Sequence, residues 1–295
     1  YNLGVSLSRA GENEAAEQAF LKAAELNPQD AEIFNQLGIL RYKMQNLAGA
    51  LEAYRKAAEQ APDNPVYWSN LGEIYEELPQ WAAAEEVYRK ALALSPLYHN
   101  KLGNLYFKQD RYAEAEECYR KVMAEYQEQP VYQENLGLAL ENQQRFEEAL
   151  AAYARALELD QNYVSAQNRI GICHYNQQAY EQAAAAFEKA AEKQPSLLHL
   201  ENLGLALEAA GRLPEAEQAY QQAIDLEPEN ASMLNRMGMF FFKQQALAQA
   251  AHWFGRAAEN DAQTPLYWEN LATALQMMGK ETEADDARRR AAELK

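Results

Sequence analysis

Apolar side chains recur along this chain at helical spacings, inside a longer period of about 34 residues. The clearest trace of that period is the peptide ENLGLALE, which occupies Glu134 to Glu141 and returns unchanged at Glu201 to Glu208. Aligning on its glycine gives Gly4, Gly38, Gly72, Gly103, Gly137, Gly171, Gly204, Gly238 and, in the ninth position, Ala272. The steps are 34, 34, 31, 34, 34, 33, 34 and 34 residues. Twelve residues after each stands an alanine, from Ala16 to Ala284, nine times out of nine, so the alignment is not accidental. Four residues further on come Phe20, Tyr54, Tyr88, Tyr119, Tyr153, Phe187, Tyr220 and Phe254. Spacings of three and four set these positions on one helical face, and Leu-Gly with an apolar residue three places later sets a second. Each repeat is therefore predicted to hold two amphipathic helices, with small residues where the pair comes together.

Prolines and glycines punctuate the same scheme. Pro28, Pro62, Pro96, Pro195 and Pro228 fall after the second helix of a repeat, Pro65, Pro130 and Pro265 open the next first helix, and Pro79 and Pro214 lie in or just after the inner turn. Gly11, Gly211 and Gly279 occupy that inner turn, where a helix C-cap takes a left-handed residue. Three residues are missing between Pro96 and Gly103, which predicts a shortened first helix in the fourth repeat. In the ninth repeat Ala272 replaces glycine and Arg288 replaces the aromatic; with Arg289, Arg290 and Lys295 nearby, that helix is expected to be a solvated cap. Tyr1 falls inside a predicted helix, so further residues or repeats are expected upstream, which leaves room there for a targeting segment.

The pattern aromatic-x-x-Leu-Gly-x-x-aromatic followed by Ala, aromatic, Ala and Pro resembles the tetratricopeptide repeat over the whole chain. The resemblance implies an all-α fold, a right-handed superhelical solenoid of about nine helix-turn-helix repeats. Its units would run approximately 1–30, 31–64, 65–95, 96–129, 130–163, 164–196, 197–230, 231–264 and 265–295, forming a single solenoid over 1–295. Most members of the family bind peptides or proteins in a concave groove lined by their first helices, and the family shares no catalytic chemistry.

Composition narrows the partners. A formal net charge of -17 and a pI near 4.8 argue against nucleic acid or an anionic membrane surface, and no run of 18 apolar residues could insert in a bilayer. Cys118 and Cys173 lack metal-ligand spacing and are too few for a disulfide framework; as half-buried thiols they favour a reducing compartment such as the cytoplasm. His99, His174, His199 and His252 fall in unlike positions of four repeats, and His174 is expected to be a packed histidine. Trp68 and Trp268 hold a position that is core in the family, while Trp81 and Trp253 lie in second helices. No nucleophile elbow, phosphate loop or dinucleotide fingerprint is present. The expectation is a protein that is not an enzyme and uses no cofactor or metal.

The candidate binding residues come from a two-repeat period. With the aligned glycine as the eighth place, odd repeats carry asparagine in the sixth place, at Asn2, Asn70, Asn135, Asn202 and Asn270. Even repeats carry it in the fifth, at Asn35, Asn100, Asn168 and Asn235, rotated about 100° around the helix. Even repeats also place bases at Lys101, Lys108, Arg169, Arg236 and Lys243 and aromatics at Tyr42, Phe107, Tyr175 and Phe242. Odd repeats place glutamates at Glu76, Glu141 and Glu208 and at Glu134, Glu201 and Glu269. Two readings of the asparagines stand together: a ladder that grips a peptide backbone through bidentate amides, as in the long arrays of O-linked N-acetylglucosamine transferases that this chain resembles, or hydrogen bonds between helices. The bases either dock a partner's carboxylates or, the favoured reading, pair with glutamates of the adjacent repeat. Within ENLGLALE, Leu136, Gly137 and Leu140 are explained by packing, which leaves Glu134, Asn135 and Glu141 for the groove. The chain is thus expected to be a protein-interaction scaffold holding an extended peptide or a helix of a partner. The alternatives are a substrate-presenting arm of a larger enzyme, and a module that self-associates through its N-terminal end.

Overall fold

A computed structural model describes residues 1–126 and 128–294. Two compact units are present, Tyr1–Leu159 and Asp160–Lys295, each a stack of antiparallel helix pairs. The first unit contains α1 (Asn2–Ala10), α2 (Asn13–Leu26), α3 (Ala31–Lys43), α4 (Leu47–Gln60), α5 (Pro65–Glu77), α6 (Trp81–Leu94), α7 (His99–Lys108), α8 (Tyr112–Glu125), α9 (Pro130–Asn142) and α10 (Phe146–Leu159). The second contains α11 (Val164–Asn176), α12 (Tyr180–Lys193), α13 (Leu197–Ala209), α14 (Leu213–Leu226), α15 (Ala231–Lys243), α16 (Leu247–Asn260), α17 (Pro265–Met277) and α18 (Glu281–Glu293). No strand occurs among the described residues, and the fold is an all-α helical-repeat solenoid. No helix among them is long and apolar enough to cross a membrane.

Helix boundaries follow local chemistry. Proline stands at the start of α5, α9 and α17, where its missing N–H is not needed. Side chains of Asp30, Asn46, Asn64, Ser196 and Asn230 accept the orphan N–H groups of Glu32, Gly49, Val66, His199 and Met233 at 2.9–3.2 Å. The shortened fourth repeat is seen directly, because α7 has 10 residues where α5 and α9 have 13, and a 3₁₀ turn over Pro96–Tyr98 precedes it.

Inner turns are built alike whether or not they hold glycine. Gly11, Gly211 and Gly279 have φ of 83°, 79° and 75°, and Gln45, Asp110, Gln144, Gln178 and Gln245 take the same left-handed conformation at 59–62°. A bond from the next N–H back to the helix closes each turn, as from Arg145 to the Leu140 carbonyl at 3.0 Å and from Arg212 to that of Leu207 at 2.9 Å. With Pro79 at a φ of 27°, six repeats therefore keep a Cβ where it is disfavoured.

Pairs are joined by one close approach. A Cβ built on Gly72, Gly103 or Gly238 would lie 2.5–2.7 Å from ring carbons of Tyr88, Tyr119 and Phe254, and the same clash faces Gly38, Gly137, Gly171 and Gly204. These rings are buried, with Tyr88, Tyr119, Tyr153, Tyr220, Phe20 and Phe254 almost fully so. In the ninth repeat the buried Ala272 carries the missing Cβ, and Arg288 extends instead to Asp285 and Gln276. Glycine and ring thus change together. Arg290 lies over the Trp268 ring at 4.7 Å, so the final helix is closed by stacking as well as by charge, whereas Lys295 lies outside the described residues.

Two outcomes are expected. Gly72→Ala should lower the denaturant midpoint by an amount equivalent to about 1–3 kcal/mol, and a cycle with Tyr88→Leu should show the alanine costing less once the ring is gone. Gln144→Gly or Gln178→Gly should raise the thermal midpoint, by several tenths to about 1 kcal/mol of stability, because glycine enters the left-handed turn without steric cost.

Candidate functional site

In the first unit the first helices α3, α5, α7 and α9 line a cavity of about 420 Å³. Its walls include Tyr42, Glu73, Glu76, Glu77, Lys101, Asn104, Phe107, Lys108, Asn135 and Leu138, with Tyr119 reaching in from α8. Five of the candidate residues, Tyr42, Lys101, Phe107, Lys108 and Asn135, are brought together here. Seven residues are almost two helical turns, so Lys101 and Lys108 share one face of α7 and meet Glu73 and Glu76 of α5, each at 2.7 Å.

Glu76 has a second task. One of its oxygens holds Lys108 and the other accepts the hydroxyl of buried Tyr88, so a single carboxylate joins the inside of one repeat to the surface base of the next. Burial, and then this hydrogen bond, pushes the Tyr88 hydroxyl far above the ordinary phenol range and keeps it a donor. The arrangement recurs in the second unit, where Tyr220 donates to Glu208 at 2.9 Å and Lys243 pairs with Glu208 at 2.6 Å. Glu141, assigned to the groove from sequence, likewise accepts from Tyr153 at 2.7 Å. Its repetition is therefore accounted for by packing.

The asparagines lock consecutive repeats. Asn70 donates to Asn35 at 2.8 Å, Asn135 to Asn100 at 3.2 Å, Asn202 to Asn168 at 3.0 Å and Asn270 to Asn235 at 2.8 Å. The fifth-place asparagines, turned about 100° from the sixth-place ones, are the acceptors. Asn35 and Asn168 are buried, and the odd-repeat partners are half-exposed. Each bond occupies one N–H of a side chain that offers two donors and a carbonyl oxygen. Asn2 is exposed at the start of α1.

The remaining candidates are distributed. Arg236 pairs with Glu201 at 3.0 Å, and Arg169 is half-buried on α11. Tyr42 is exposed and donates to Glu77 at 3.4 Å, whose charge raises the pKa of its hydroxyl. Phe107 and Tyr175 turn back onto Tyr112 and Tyr180 of the following helix, edge-on at 5.3 Å, and Phe242 lies 6.3 Å from Phe254. Asn104 was missed: it accepts from Tyr119 at 2.9 Å and lies 3.4 Å from the Asn135 amide. It follows the aligned glycine in one repeat only, so periodicity gave no signal for it.

Residues set aside as structural behave mostly as such. Trp268 is buried and Trp68 half-buried, with their indoles donating to the Ala262 and Pro62 carbonyls. Both cysteines are fully buried rather than half-buried, and burial pushes the Cys118 thiol up to about 11. His174 is half-buried, and His199 is buried with Nδ1 donating to the Gln194 carbonyl at 2.8 Å. Among the described residues no group of three or more His, Cys, Asp or Glu could hold a metal ion.

Comparison with known proteins agrees with this geometry. No curated protein sequence matches the chain. Among solved structures, a tetratricopeptide repeat protein from Parabacteroides merdae aligns with a TM-score of 0.60 at 18% identity, covering 84% of this chain and 99% of that one. PilW, a type IV pilus biogenesis factor, aligns with a TM-score of 0.59 at 22% identity, covering 67% and 94%. MamA from Desulfovibrio magneticus aligns at 0.50 and 20%, covering 56% and 94%. At these identities the likeness is one of fold. A tetratricopeptide repeat family model matches residues 1–65, 35–99, 100–164, 135–197 and 201–265, so this chain belongs to the tetratricopeptide repeat family.

Proposed function

We propose that this chain is a protein-interaction scaffold and that the α3, α5, α7 and α9 face of its first unit receives an extended segment of a partner protein. Tetratricopeptide repeats are typically non-catalytic scaffolds that bind proteins, which supports the general reading. The observation that carries the particular one is the cavity over α5, α7 and α9, where the amides of Asn104 and Asn135 lie beside exposed Tyr42 and half-exposed Phe107. An amide that donates and accepts can hold a peptide backbone without reading its side chains. Aromatic faces then supply contact area at low entropic cost.

Charge here favours position over attraction. Lys101 and Lys108 are already answered by Glu73 and Glu76, so a partner carboxylate would have to displace an existing pair whose worth is only ~0–1 kcal/mol. The bases accordingly set the walls of the site and offset the negative charge of Glu73 and Glu76. The division of the chain into the nine units expected from the sequence belongs to the same proposal.

Selection from a display library of random, unstructured 12-residue peptides should yield binders that protect α5, α7 and α9 from hydrogen exchange. Asn104→Ala combined with Asn135→Ala should weaken them by about 1–3 kcal/mol while the helical circular dichroism is retained. Binders that keep full affinity for the doubly substituted protein would contradict the amide mechanism, and binders that protect none of these helices would contradict the site.

A further inference from the structure

The second unit has an opening on its other face, unrelated to the first-helix cavity. Helices α12, α13 and α14 enclose about 540 Å³, with Ala184, Ala191, Leu200, Leu203, Leu207 and Ala219 among the apolar lining. Leu226, half-exposed, continues the apolar strip at one end. The rim carries four carboxylates, Glu188, Glu192, Glu215 and Asp225, against one base, Arg212. That base is already engaged by Glu181 at 3.3 Å and by Glu215.

The first unit supplies an internal comparison, because α8 and α10 stand in the same register as α12 and α14. Where the second unit has Ala184, the first has Glu116, paired with Arg120 at 2.9 Å and Arg145 at 2.5 Å and hydrogen-bonded by Gln143 at 3.0 Å. Arg120 itself corresponds to Glu188, a reversal of charge, and Arg155, paired with Glu128 at 2.6 Å, corresponds to the uncharged Gln222. Gln133, bonded to Glu128, corresponds to Leu200. On one scaffold, then, a balanced ion network fills the place in the first unit. In the second, apolar side chains replace its centre and two of its three bases, Arg120 and Arg155, are gone, while Arg145 is kept as Arg212.

We infer that the α12–α14 face docks a basic amphipathic helix of a partner protein. Aliphatic residues three and four apart would enter the apolar floor, and lysines or arginines flanking them would meet Glu188, Glu192 and Asp225. Removing apolar surface from water supplies the attraction, and the uncompensated carboxylates select the sign of the partner. A second copy of this chain fits poorly, since each carries a formal net charge of -17. An extended anionic polymer is excluded by the same rim.

The test uses the whole chain and a fluorescent 18-residue peptide of Leu and Lys arranged with one aliphatic face, about 27 Å long as a helix. Two controls accompany it: the same peptide with Glu for Lys, and an oligolysine of equal length. The Leu-Lys peptide should bind by anisotropy and protect residues 184–192 and 215–226 from hydrogen exchange, and both controls should bind at least about tenfold more weakly. Grafting the first unit's residues, as Ala184→Glu, Glu188→Arg, Leu200→Gln and Gln222→Arg, should weaken the peptide by about tenfold or more. Because grafting alters buried positions, Glu188→Arg with Glu192→Ala tests the exposed rim alone and should flatten the salt dependence of binding.

Equal binding of oligolysine would reduce the site to non-specific attraction and overturn the inference, as would unchanged affinity in the rim variant. Protection confined to α5, α7 and α9 would assign the peptide to the other face and likewise overturn it. Sedimentation showing a dimer that the graft abolishes would replace the partner helix with a second copy. None of these results depends on whether the first-helix cavity binds a peptide.

Discussion

Everything in these repeats rests on the contact between a glycine and a ring. The eighth-place glycine lets the first helix come close enough for the aromatic of the second to occupy the space where a Cβ would stand, and nothing larger fits. Ring and helix axis are then fixed relative to each other, so positions a turn away along the first helix inherit a defined direction. The ninth repeat supports this account by exception, since it has lost the ring at Arg288 and tolerates the methyl of Ala272.

From the ring, order passes outward through hydroxyl and carboxylate. Tyr88, Tyr153 and Tyr220 each orient a glutamate on the first-helix face, and Glu76 and Glu208 then hold Lys108 and Lys243 of the next repeat. The exposed pairs contribute little stability by themselves. Their carboxylates, however, are only 10–13% exposed and already aimed by a buried donor, so the pair has less freedom to lose than a typical surface pair. Asparagine bonds join the alternate boundaries, from the third repeat to the second and from the seventh to the sixth. Two-repeat periodicity is the sequence record of both sets of bonds, because each needs unlike residues on the two sides of a repeat boundary.

What the sequence made legible was whatever repeats. The glycine, alanine and ring positions, the left-handed turns at Gly11, Gly211 and Gly279, and the short first helix after Pro96 all follow from spacing and backbone chemistry. Hydrogen-bond partners across a repeat boundary were less accessible. Asn35 and Asn168 looked misplaced because they are turned about 100° from the sixth-place asparagines, yet that rotation is what brings an acceptor to its donor. The bond of Glu141 to Tyr153 was hidden because that ring sits on the other helix and was already explained as core. Asn104 could not be found by periodicity, being specific to one repeat.

This division bears on where specificity can reside. Residues bound into the tyrosine–glutamate–lysine and asparagine–asparagine links are constrained twice, by the fold and by any ligand, so changing one to suit a new partner also loosens a repeat boundary. Residues outside the links, such as Tyr42 and Leu138 on the first-helix face of the first unit, or Ala184, Glu188 and Leu200 in the second, can change with less structural consequence. The contrast between Glu116 with Arg120 and Ala184 with Glu188 shows such a change on an otherwise equivalent scaffold. A repeat array can therefore carry separate binding faces, provided that the differences between its repeats fall where neither ring, glutamate nor asparagine is engaged.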